Sequence, residues 1–139
     1  MSDNCIFCNI IQKKAPASIV YEDKKTIAFL SIQPINVGHT LVIPKKHYEN
    51  IYEISEKEIS HLFRIVKRIS NVTKTALGAE GIRIIQNNGK AAGQVIFHIH
   101  VHIIPMYGDY HRSHSVNRDR KILDQDAKKI KKIISKKEL

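Results

Sequence analysis

Tryptophan is absent from this chain, and aromatic residues are only 6% of its 139 positions, so aliphatic side chains must supply most of any core. Its two cysteines, Cys5 and Cys8, are too few for the disulfide framework of a small secreted domain. There is no internal repeat, no low-complexity tract and no linker rich in Gly, Pro or Ser. No apolar run approaches the roughly 20 residues that span a bilayer. The apolar runs are short and soon interrupted, as at Ile19 to Tyr21 and Leu41 to Ile43. The opening MSDNCIFCNII lacks a basic segment followed by a long apolar run, so it does not read as a secretory leader. A cytoplasmic protein without membrane attachment is expected.

What is present suffices for one packed domain: 42% of residues are hydrophobic, which argues against disorder. The net charge is +10, and positions 111–139 hold ten Lys or Arg against four Asp or Glu. Such an excess can attract nucleic acid through its phosphates. Concentrated on one amphipathic segment, it reads instead as a solvated helix face, and a nucleic-acid partner is not expected.

The pattern along the chain predicts an α+β domain with about five mostly antiparallel strands packed by one long helix, with short N- and C-terminal helices. A short helix over about 5–12 is expected to stop at Pro16. Strands are expected at 19–21, 26–30 and 40–43, the last preceded by Asn36 and Gly38 as turn residues. From about Glu56 to Leu77, Ile59, Leu62, Phe63, Val66, Ile69, Val72 and Ala76 recur at helical spacing. Ser55 with Glu58 fits a capping box there, and Gly78 fits a C-terminal stop. Further strands are expected at 82–86 and 96–104. A last helix over about 121–136 carries Leu123, Ala127, Ile130, Ile133 and Ile134 on one side.

Residues 98–104 read His-Ile-His-Val-His-Ile-Ile. Strand side chains alternate faces, so His98, His100 and His102 share one face while Ile99, Val101 and Ile103 share the other. Three neighbouring imidazoles cannot all carry charge, and their pKa values should separate. A neutral ring could then attack phosphorus while its neighbours donate protons or hydrogen bonds. Spacing alone leaves a metal-binding cluster and a structural role open. The preceding loop, Asn87 to Gln94, contains two glycines and several amides; beside the histidines it reads as a cradle for phosphate. His39 reads as a turn residue, His61 as a packing residue of the long helix, and His111 and His114 as part of a basic surface. The C-x-x-C of Cys5 and Cys8 reads as half a zinc site, a redox pair or two small buried hydrophobes. The βαβ context of a redox pair is missing.

These residues together resemble the histidine-triad (HIT) family, in particular its Hit-type and nucleoside-phosphoramidase-like branch. The resemblance runs through CIFCNII, GHTLVIPKKHYENI and QNNGKAAGQVIFHIHVHIIP, about residues 5–107. Residues 1–110 are accordingly taken as a HIT-like nucleotide-binding domain and 111–139 as a basic C-terminal extension with an amphipathic helix. The resemblance implies a homodimer that binds a purine nucleotide at its α-phosphate. It implies hydrolysis of a nucleoside phosphoramidate or dinucleoside polyphosphate through a nucleotidyl-histidine, with a non-catalytic nucleotide sensor or scaffold as the alternative. It implies His100 as nucleophile, with His98 and His102 as polar supports. Asn87, Gln94 and the backbone N–H of Val95 would hold phosphate, and Phe29 and Ile32 would line the base and ribose pocket. His102, in place of a glutamine, favours hydrolases over nucleotidylyltransferases.

Two positions depart from that pattern. Ser31 stands where many relatives carry an Asp that grips the ribose, and Val95 where Ser or Thr is common. A serine cannot make a charged bidentate contact with two hydroxyls, so ribose recognition should be weaker or different. Val95 removes a hydroxyl that could assist the leaving group. The resemblance also completes the cysteine pair with His47 and His98 as a structural zinc site, close to the chemistry but without a Lewis-acid role.

Overall fold

The computed structural model describes residues 4–108 and 117–136. Its order is α1 (Ile6–Ile11), β1 (Ile19–Glu22), β2 (Thr26–Leu30), β3 (Thr40–Pro44), α2 (Glu56–Leu77), β4 (Gly81–Ile85), a 3₁₀ turn (Lys90–Ala92), β5 (Val101–Met106) and α3 (Arg120–Lys136). The strands form one sheet in the order β1-β2-β3-β5-β4, antiparallel at every pairing. This is the α+β arrangement that the sequence pattern predicts.

Both faces of the sheet are covered, and the period-two alternation sorts side chains between them. Ala28, Leu30, Val42, Val101 and Ile103 face one way and pack against Leu62, Ile65, Ile69 and Val72 of α2 and Leu123 and Ile130 of α3. Ile27, Phe29, Leu41 and Ile43 face the other way, against Phe7 and Ile10 of α1. Every residue of β2 and β3 is therefore buried, as expected for central strands covered on two sides.

The long helix occupies 56–77, within the bounds its periodicity predicts. The Glu58 N–H donates to Ser55 Oγ (3.2 Å) at its start. At its end Gly78 takes φ 65°, a left-handed conformation that suits glycine, and its N–H returns to Lys74. α3 buries Leu123, Ala127 and Ile130 in the same core as α2, while Lys121, Lys128, Lys129, Lys131 and Lys132 are exposed.

α1 keeps its expected bounds to within a residue, but Lys13, with φ 62°, turns the chain there in place of Pro16. One boundary differs from expectation. The final strand starts at Val101 instead of residue 96. Its predecessor segment is drawn out of the ladder: the Ile99 N–H donates to Tyr48 O (2.8 Å), and the His98 ring is held beside the cysteines. The alternation nevertheless persists through it, since Ile99, Val101 and Ile103 are each fully buried. His111 and His114 lie outside the described residues. Among the described residues no helix is long and apolar enough to cross a membrane.

Candidate active site

Strand register places the site. His102 on β5 pairs with Leu41 on β3, Leu41 with Phe29 on β2, and Phe29 with Ile19 on β1. That row crosses four strands on the face opposite α2 and α3. Above it lies a cavity of about 720 Å³ whose walls include Phe7, Phe29, Leu41, His39, His100 and His102. His39, His100 and His102 line it beside Phe7, and apolar side chains of α1 and β2 line much of the rest.

Hydrogen-bond partners that can act in only one way fix the proton on each ring. The carbonyl of His98 can only accept, so His100 Nδ1 is the protonated nitrogen of that contact (2.8 Å). A neutral His100 then keeps its lone pair on Nε2. The Ile35 N–H can only donate, and it does so to His39 Nδ1 (3.0 Å). His39 must therefore carry its proton on Nε2, which donates to His102 Nδ1 (2.9 Å). A neutral His102 is left with Nε2–H as its unspent donor. Burial keeps the rings neutral: it pushes His39 and His102 down to about 4 and also lowers His100. The cluster thus presents a lone pair on His100 and an N–H on His102, with ring centroids 5.0 Å apart. That pairing suits nucleophilic attack with a hydrogen bond to the leaving atom.

His39 was read from sequence as a turn residue; the structure corrects this. It is 3% exposed and sets the tautomer of His102. A signal for it existed, because extending the β3 alternation back one position puts His39 on the face of Leu41.

His98 faces another task. Its Nε2–H donates to Pro44 O (2.8 Å), which turns the Nδ1 lone pair toward Cys5 Sγ (3.4 Å) and Cys8 Sγ (3.6 Å). His47 Nδ1 lies 3.3 Å from Cys8 Sγ, and the four ligand atoms all fall within 4.8 Å of one another. Tetrahedral bonds of about 2.3 Å to sulfur and 2.0–2.1 Å to nitrogen place S and N roughly 3.5 Å apart, so the cluster fits such a metal. With four protein ligands the shell is closed, and no position remains for substrate. Both His98 ring nitrogens are spent here, and the residue does not line the cavity.

The remaining expected residues divide. Phe29, Ser31, Ile32, Asn87 and Val95 lie on the cavity wall, Ile32 and Val95 largely exposed. Ser31 Oγ accepts from the Gln33 N–H (3.2 Å). Gln94 is buried and lies off the wall: its oxygen accepts from the Gly89 N–H (2.8 Å), and its amide donates to Glu49 O (2.5 Å) and Ile96 O (3.1 Å). It shapes the loop that carries Val95. Phe7, which sequence reasoning passed over, packs edge-on against Phe29 and against both His98 and His100, at 5.2–5.9 Å between centroids.

Fold and site define a small α+β protein with a histidine-lined cavity and an adjoining Cys₂His₂ cluster. The chain belongs to the HIT domain family, whose model matches residues 12–109. It is 52% identical over 103 residues to an uncharacterized HIT-like protein of Saccharolobus solfataricus, covering 74% of each chain. It is 40% identical over 106 residues to an adenosine 5'-monophosphoramidase of Candida albicans, covering 73% of this chain and 70% of that one. Among solved structures, a Hit-like protein of Bartonella henselae superposes with a TM-score of 0.90 at 35% identity, over 96% of this chain and 98% of that one. A Zn-bound histidine triad family protein of Mycobacterium smegmatis does so at 0.87 and 32% identity, over 96% and 94%.

Proposed function

We propose that this chain hydrolyses a purine nucleoside phosphoramidate or dinucleoside polyphosphate at its α-phosphate, with His100 as nucleophile. The observation that carries this is the opposed proton state of two adjacent rings, a lone pair on His100 Nε2 beside an N–H on His102 Nε2. His100 Nε2 attacks phosphorus and forms an N–P bond as the bond to the leaving group breaks. His102 Nε2–H hydrogen-bonds the leaving atom, which takes its proton from solvent as it departs, so His102 stays neutral. Water then attacks the same phosphorus, the N–P bond breaks, a nucleoside monophosphate departs with His100 neutral again, and the water's proton goes to solvent. Asn87 and the Val95 backbone N–H steady the phosphoryl oxygens; Phe7, Phe29 and Ile32 flank the base and ribose, with Ser31 near the sugar.

The metal held by Cys5, Cys8, His47 and His98 is proposed to be zinc, in a structural role. Bound there, it cross-links α1 to the segment leading into β5. His98, fixed by its side chain, offers the carbonyl that orients His100. The working unit is proposed to be a cytoplasmic homodimer, joined where β4 leaves an outer edge with Ile84 about half exposed. The monophosphoramidase activity named for the Candida relative supports the substrate class.

The test compares wild type with His100→Ala for release of AMP from an adenosine phosphoramidate, with AMP binding measured in parallel. Turnover should fall by at least a thousandfold while affinity changes little. Unchanged turnover in the variant refutes the nucleophile assignment. Binding without turnover in wild type would instead make the chain a nucleotide sensor.

A further inference from the structure

The end of the cavity away from the histidines holds one cation. Arg120, the first residue of α3, contributes to the wall there, although the neighbouring lining of Ala15, Pro16 and Ala17 is apolar. Its guanidinium is anchored: Nη1 donates to Ser18 Oγ at 2.8 Å. Ser18 is 2% exposed, and its own hydroxyl donates to Asp124 Oδ1 at 2.7 Å, one turn along the same helix. No carboxylate among the described residues pairs with Arg120 as an ion. Arginine has five N–H donors in a planar fork, and this contact uses one of them.

Distance along the sheet gives the anchored fork a meaning. From His102 on β5 through Leu41 and Phe29 to Ile19, beside Ser18, the row makes three steps between strands. At the usual spacing of neighbouring strands this is roughly 14 Å. On the nucleotide reading, a mononucleotide with phosphorus at His100 would lay its base against Phe29, and the same cavity continues from there to Arg120. A polar donor at that end of an otherwise apolar slot selects among bases by the groups on the base's edge. Guanine and hypoxanthine offer two acceptors, O6 and N7, matched to a guanidinium fork. Adenine offers N7 beside an amino group whose hydrogens oppose it.

We propose that Arg120, held by Ser18 and Asp124, is a base-selecting residue that favours 6-oxopurine nucleotides over adenine nucleotides. The proposal rests on the nucleotide reading given above and specifies which member of that substrate class the cavity prefers.

The test measures equilibrium binding of GMP, IMP and AMP by calorimetry to the full-length protein, which separates recognition from chemistry. Wild type should bind GMP and IMP about tenfold or more tightly than AMP, the discrimination expected of one bidentate contact. In Arg120→Met the ratio should collapse toward one. Arg120→Lys keeps the charge without the fork and should lose most of the preference, and it stands in should the methionine variant fail to fold. Ser18→Ala, which frees the guanidinium from its anchor, should give an intermediate ratio. Equal affinities for the three nucleotides in wild type, or a uniform loss across them in the variants, would mean that Arg120 only ties α3 to β1 and would overturn the assignment while leaving the hydrolase reading intact. Failure of wild type to bind any of them would overturn both.

Discussion

The proton on His102 is set by His39, a residue of the cavity wall whose hydrogen bond to the histidine cluster goes to that ring. Ile35 fixes His39, and His39 fixes His102, so a backbone amide dictates which nitrogen of His102 can donate. Replacing His39 by Asn should lower kcat about tenfold to a hundredfold while leaving the Kd of a nucleoside monophosphate within about twofold, because orientation and tautomer are lost but the wall remains. Single-turnover kinetics and equilibrium binding would separate the two effects; a matching loss of affinity would show that His39 only shapes the cavity. At this scale the sequence was readable where one strand carried the information. The alternation of His98, His100 and His102 with Ile99, Val101 and Ile103 does segregate imidazole from apolar side chains. It could not tell that His98 turns toward thiols while its neighbours face the cavity, since that depends on where α1 lands. The Ser18–Asp124–Arg120 link was equally hidden, because its partners lie more than a hundred positions apart.

Among the elements, α3 contributes most beyond what its composition suggests. Its lysine-rich face reads as a solvated tail, yet Leu123, Ala127 and Ile130 sit in the core with α2 and β1. Ile130 is fully buried. Ile130→Ala should therefore cost about 2–5 kcal/mol, measured by urea denaturation, through lost burial and the cavity it leaves. A cost near zero would mean that α3 is an appendage. α2 was legible end to end because both of its stops are local: a serine whose side chain caps the first turn and a glycine in the left-handed region. α1 was less so, since a left-handed lysine and not the nearby proline ends it. Position-specific strain of that kind leaves no periodic trace.

On the scale of the whole molecule, two conditions should govern stability. His39 and His102 are held near 4 by burial, whereas an unfolded histidine titrates near about 6.5. Between those values the unfolded chain binds more protons than the folded one. Their contribution is therefore complete above about pH 6.5 and declines as pH falls toward 4. Thermal unfolding across that range should show a falling Tm, with a shallower fall in His39→Asn. The second condition is metal. Stripping it with a chelator should lower Tm by about 5 °C or more and restore it on adding zinc, with metal content followed by elemental analysis. Cys8→Ser should reproduce the stripped state, and a Tm indifferent to both treatments would remove the cluster from the account of the fold.

The row that runs from His102 to Ile19 has a further consequence for how such a molecule can fail. Each of its residues comes from a different strand, and slipping any strand by a single position would send that strand's contribution through to the helical side. A misaligned chain could still be compact, and could show much of the expected sheet and helix signal, yet it would have no pocket. Catalytic competence therefore reports on alignment that spectroscopic content does not see, and an inactive preparation of this protein need not be an unfolded one.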